Sequence, residues 1–187
     1  MVEGLINAQR FAQGLTYAQY LAQMGANREH FERSYQEFRL SPDDEQSFAV
    51  LNGKVGPIKV LALGEDWCPD VQRGVPVVAR IAERAGMDLR VFPRDGNQDI
   101  MDQYLNQGKY ASIPVFAFFD KDWHSLGHWI ERPAMATRLM NEIREELAKA
   151  KLSEDETKAE VRKRVAGLWD NWRQETVREL RELLAGK

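Results

Sequence analysis

The sequence predicts an α/β fold, a mixed sheet flanked by helices, with further helices before and after it. Three observations carry this. In the middle of the chain, short apolar runs bounded by turn residues alternate with stretches of helical period, the pattern of strands joined by helical crossovers. One pair of runs is separated only by a tight polar turn, which makes a hairpin and brings antiparallel pairing into the sheet. On both flanks, apolar residues recur at helical spacing. The chain divides accordingly into a helical extension over residues 1–55, an α/β domain over 56–151, and a long C-terminal helix over 152–187 that packs on the same domain.

From Leu5 to Leu51, Phe11 with Leu15, then Phe31, Tyr35 and Phe38, then Phe48 and Leu51 keep helical spacing. Ser41 is an N-cap candidate, Pro42 suits the first helical position, and Asp43 and Asp44 suit the positive end of the helix dipole. Asn52-Gly53-Lys54-Val55-Gly56-Pro57 is turn chemistry that closes this part. Ile58 to Leu63 and Leu89 to Phe92 read as strands, each followed by a helical stretch. Val115 to Phe119 reads as a third; after the turn Asp120-Lys121-Asp122, Leu126, His128 and Ile130 alternate along a fourth. Beyond Pro133 the chain reads as helix with one interruption, where Ser153 and Glu156 form a capping-box pair. A helix from Glu154 to Leu184 would be about 45 Å long at 1.5 Å per residue. Its stripe of Val161, Val165, Leu168, Trp172, Leu180 and Leu184, widened by Trp169, suits packing on the N-terminal helices, with a homodimer contact as the alternative.

Composition excludes several function classes. With 187 residues, 43% of them hydrophobic and 29% charged, the chain matches no disordered or collagen-like class. A net charge of -3, from 26 basic and 29 acidic residues, gives no field to gather phosphate backbones or anionic lipid. Neither nucleic acid nor membrane is an expected partner. The N-terminus has no basic leader and no apolar run nears the ~18 residues of a membrane span, so a cytoplasmic location, where thiols stay reduced, is the expectation. The one cysteine forbids an intramolecular disulfide and a cysteine-cluster zinc site.

The stretch Glu65-Asp66-Trp67-Cys68-Pro69-Asp70-Val71 follows the first strand and opens a helix. Cys68 therefore stands where unpaired N–H groups and the helix dipole favour an anion, while Asp66 and Asp70 oppose a lowered thiol pKa. Sequence leaves the net direction open. Asp66 and Asp70 read either as an acid/base pair or as caps of the helix start. Arg73 reads either as a holder of a carboxylate near Cys68 or as a solvated charge on an exposed helix turn. His30, His124 and His128 are scattered and a metal site is not expected; no glycine-rich phosphate loop or Ser/His/Asp pattern appears, and no cofactor is called for.

Strand, then Trp67-Cys68-Pro69-Asp70, then helix resembles the active-site turn of the thioredoxin family. Pro76 stands where that family carries a proline in the same helix, and Ile113-Pro114 stands where it carries a cis-proline before a phenylalanine-rich strand. Asp120 to Asp122 is similar to its hairpin turn, so the likeness runs from Ile58 to Arg132. Glu65-Asp66-Trp67-Cys68, Arg94-Asp95-Gly96-Asn97 and the added helices look closest to a bacterial thioredoxin-like branch. The resemblance implies a thioredoxin-like fold with a cis bond before Pro114. It also implies a groove shaped by Trp67, Pro69, Asp70, Ile113 and Pro114 beside Cys68, with the Ile113 backbone open to an extended peptide.

Two departures redirect that function. Val71 occupies the place of the family's second cysteine, and Ala62 that of its buried aspartate. Residues three apart share a helix face, so a thiol at 71 would release the mixed disulfide formed at 68; a valine cannot. The reading is monothiol chemistry at Cys68, its disulfide resolved by an external protein or low-molecular-weight thiol. The alternative is a non-catalytic peptide-binding module that keeps the fold and its groove.

Overall fold

Four strands form one sheet in the computed structural model, which describes residues 4–150 and 152–186. They are β1 (Lys59–Leu63), β2 (Asp88–Phe92), β3 (Val115–Phe119) and β4 (Ser125–Ile130), in the spatial order β2-β1-β3-β4. Ahead of them lie α1 (Ala8–Phe11), α2 (Tyr17–Gln23), α3 (Arg28–Glu37) and α4 (Pro42–Val55). Helix α5 (Pro69–Ala85) connects β1 to β2, and the short α6 (Gln98–Met101) lies between β2 and β3. After the sheet come α7 (Ala134–Lys149), α8 (Glu154–Val165) and α9 (Trp169–Ala185).

β1 runs parallel to β2 and antiparallel to β3, and β3 and β4 form the hairpin that the polar turn announced. The inner strands are buried on both faces, which is why β1 and β3 are nearly continuous apolar runs rather than alternating ones. At the β2 edge, Leu15 and Val91 exchange backbone hydrogen bonds of 2.9 and 2.7 Å, so a piece of the N-terminal segment covers part of an otherwise open edge. No helix among the described residues is long and apolar enough to cross a membrane.

Ser41 caps α4 by accepting from the Asp44 N–H, as its sequence predicts. The helix does not stop at Asn52, however, but continues to Val55 and ends at Gly56, whose φ of +82° is a conformation that favours glycine. Asn52 is therefore a bridge rather than a turn residue. Its side chain donates to the carbonyl of Ala85 at the end of α5 and accepts from the N–H of Ile58 ahead of β1. A tertiary use of its amide outweighs its turn preference.

The expected single C-terminal helix is two. A 3₁₀ turn at Ala166–Leu168, containing Gly167, separates α8 from α9. The break lets α8 stay with the smaller cluster while most of α9 turns to the main core. α8 packs with α7 in a cluster of Ala136, Ile143, Leu147, Val161 and Val165, to which the first turn of α9 adds Trp172. α9 packs on α4, α5 and β4 and delivers Val177, Leu180 and Leu184 to the main core. Most of the stripe, Val161, Val165, Trp172, Leu180 and Leu184, is thus buried within the chain. The capping box at Ser153 and Glu156 starts α8 as predicted.

Because α9 is part of the main core, Leu180→Ala should destabilise the whole domain by about 2–5 kcal/mol, the range for emptying a buried leucine site. Chemical denaturation followed by far-ultraviolet circular dichroism checks it; an unchanged midpoint would mean that α9 is an appendage.

Candidate functional site

The turn between β1 and α5 is held from several sides. The Cys68 N–H donates to the Glu65 carbonyl at 3.1 Å, the Gln72 N–H to the Cys68 carbonyl at 3.0 Å, and the Gln72 side chain to the Asp66 carbonyl at 2.8 Å. Cys68 occupies the N-cap of α5 in extended conformation, and Pro69 takes the first helical position, where a missing N–H is harmless. Val71 points into the core and is fully buried; a Cβ on Gly64 would lie 2.9 Å from its methyl groups, so glycine there is what lets it fit.

Across from the turn, the Ile113–Pro114 bond is cis. Gly74 sets the closeness of approach, since a Cβ on it would meet Pro114 and Phe116 at 3.3 Å. In this arrangement the Cys68 Sγ–H donates to the Ile113 carbonyl at 3.7 Å. Ile113 itself is 6% exposed, and its carbonyl is engaged by the thiol. The Pro114 carbonyl accepts from the Glu131 N–H at 2.7 Å.

Asp70 turns inward. Its two carboxylate oxygens accept from Arg73 and Arg132, each at 2.7 Å. Arg73 is 1% exposed, with its guanidinium 5.2 Å from the centre of the Trp172 ring. This corrects the expectation of a solvated or ligand-holding Arg73: the C-terminal helices cover that face of α5, and the cation is consumed by Asp70 and the indole. It also leaves Asp70 no freedom to act as an acid/base partner of Asp66. Glu131 and Arg132, unanticipated as site residues, follow β4 directly; the pairing of Val115 with Ile130 delivers them beside Pro114. That position was implicit in the hairpin.

Burial pushes the Cys68 thiol up from the usual cysteine value. The N–H groups of Val71 and Asp70 pull it back without making a geometrically sound cap, the Asp70 carboxylate adds to the rise, and Arg132 opposes it. The direction left open by the sequence is therefore upward, with desolvation outweighing the helix start. Asp70 is likewise pushed up by burial, against the pull of Arg73 and Arg132.

Trp67 is 55% exposed and carries the Arg94 guanidinium 5.3 Å from its ring centre. Glu65 accepts from the Asp95 N–H at 2.8 Å. The two motifs singled out in sequence thus face each other across the ends of β1 and β2. Away from this site, Asp120, Asp122 and His124 bring ligand atoms within 4.8 Å of one another at the exposed hairpin turn. There Asp120 already accepts from the N–H groups of Asp122 and His124, which is turn chemistry.

A cysteine at the N-cap of a crossover helix, facing a cis-proline that leads into a hairpin, defines a thioredoxin-like domain. The chain belongs to the thioredoxin family, whose model matches residues 14–159. Among solved structures, it is similar to a protein of unknown function from Pseudomonas aeruginosa, with 16% identity, a TM-score of 0.70, and coverage of 97% of this chain and 99% of that one. It is also similar to an HIV epitope scaffold, with 18% identity, a TM-score of 0.66, and coverage of 96% and 98%. At these identities the likeness is one of fold. No curated protein matches the chain.

The raised thiol has a measurable sign. The pH profile of Cys68 alkylation should inflect at higher pH in the native chain than in the urea-unfolded chain, and Arg132→Ala should move it higher still. By linkage, the stability contributed by this thiol is full below its unfolded pKa and declines as pH rises toward the folded one. Coincident native and unfolded profiles would contradict the assignment.

Proposed function

We propose that the protein performs monothiol thiol–disulfide exchange at Cys68, with an external thiol completing each cycle. The observation that carries this reading is the sulfur itself: half-buried, beside a cis-proline, with a buried valine where a resolving thiol would stand. The Cys68 thiolate attacks one sulfur of a disulfide; a mixed disulfide forms as the original S–S bond breaks, and the departing thiolate takes up a proton. A second thiol then attacks the mixed disulfide and frees Cys68. The partner is a protein or a low-molecular-weight thiol of a reducing compartment such as the cytoplasm. Trp67 and Pro69 offer an exposed platform beside the sulfur, Pro114 walls the opposite side, Ile113 holds the resting thiol, and Asp70 sets its charge environment.

The raised thiol pKa and the occupied Ile113 carbonyl favour a second reading, a binding module that retains Trp67 as an anchor and has lost turnover. Alkylation under native conditions separates the two. Exchange chemistry requires Cys68 to react in the folded chain at mildly alkaline pH; modification only after denaturation leaves the binding module.

Wild-type protein should show no turnover in the insulin-reduction assay, because no thiol lies three residues on. Val71→Cys should form an intramolecular disulfide with Cys68 on oxidation, seen as the loss of two free thiols without a change in oligomeric mass. Efficient insulin reduction by the wild type would contradict the monothiol reading.

A further inference from the structure

The C-terminal helices build a second wall for Cys68. Together with the start of α5 they enclose a cavity of about 660 Å³, bounded by Cys68, Asp70, Arg132, Met140, Val165 and Trp169 among others. That volume suits one small molecule, and apolar walls with a few convergent polar groups are the usual make-up of such a site. The α7, α8 and α9 side is apolar except for Arg162, while the α5 side includes Cys68.

The charges in this wall are unequal. Asp70 is held by two arginines, so its negative charge is locally neutralised. Arg162 also lines the cavity, and among the described residues it makes no ion pair. Apolar walls beside an unpaired cation fit an apolar molecule that carries a carboxylate.

We infer that this cavity binds the exchange partner of Cys68, and that the partner is a small thiol, or its disulfide, with an apolar body and a carboxylate. The inference rests on exchange chemistry at Cys68 and names the substrate class of that site. The body lies against Val165 and Trp169, the carboxylate is drawn by Arg162, and the sulfur meets Cys68. In the oxidising direction Cys68 gives its proton to solvent and attacks the bound disulfide. The S–S bond to Cys68 forms, that of the disulfide breaks, and one thiolate leaves and is protonated. A thiol on a second protein then attacks the small-molecule sulfur of the mixed disulfide, freeing Cys68 as a thiol and leaving the small molecule disulfide-bonded to that protein. The disulfide is the oxidant and the thiol the reductant, so the cycle balances.

The test uses the full chain and two aromatic disulfides, anionic dithiobis(nitrobenzoate) and neutral dithiodipyridine, each rate divided by that of the urea-unfolded chain to remove intrinsic reactivity. The native chain should favour the anionic probe. Arg162→Glu, at an exposed position where folding is not at risk, should lower the anionic-to-neutral ratio by about fivefold, the scale of one surface charge pair. Val165→Trp, which fills the cavity, should slow both probes. If Cys68 reacts in the native chain and neither variant changes the ratio or the rates, the cavity assignment is overturned while exchange at Cys68 stands. If Cys68 reacts with neither probe until the chain is unfolded, the exchange reading falls, and this inference with it.

Discussion

The buried ion cluster of Asp70 with Arg73 and Arg132 is the contact on which the site depends. It joins the first turn of α5 to the end of the β3–β4 hairpin, and through Arg73 and Trp172 it reaches the C-terminal helices. Three parts of the chain that are distant in sequence thereby meet around the cavity that Cys68 also lines. Removing one member of a buried pair leaves an uncompensated charge, at a cost of about 3–5 kcal/mol, so the cluster fixes geometry more firmly than a surface salt bridge could. It also shapes the thiol, because Asp70 raises and Arg132 lowers its pKa.

What was legible in the sequence was local. The Ser41 cap, the capping box at Ser153 and Glu156, the apolar strands and the strand-to-helix position of Cys68 each depend on residues within a few positions of one another. What was not legible depends on distant partners. Asn52 looks like a turn residue until the end of α5 and the start of β1 are placed beside it. Arg73 looks solvated until Trp172, almost a hundred residues on, lies against it. The break between α8 and α9 had a visible signal in Gly167, but the stripe continued across it, and only the existence of two separate clusters explains why the chain bends there.

The departures from a dithiol site are consistent with one another in physical terms. Val71 is packed against Gly64 with no exposed surface, and Ala62 is a buried residue of β1, so the region that would carry a resolving thiol and its proton relay is instead ordinary core. A single sulfur remains, held by the Ile113 carbonyl in its neutral form. Such a group is a slow nucleophile at neutral pH and a strong one once deprotonated, since nucleophilicity rises with thiol pKa while thiolate fraction falls. An adjoining cavity that concentrates its reaction partner would compensate for that low fraction.

The most direct measurement is the intact mass of the folded chain after exposure to excess small disulfide and then to excess small thiol. Exchange chemistry predicts one mixed-disulfide adduct, located at Cys68 and released completely by the thiol. A native chain whose mass does not change, although the same chain takes up the adduct when unfolded, would contradict it.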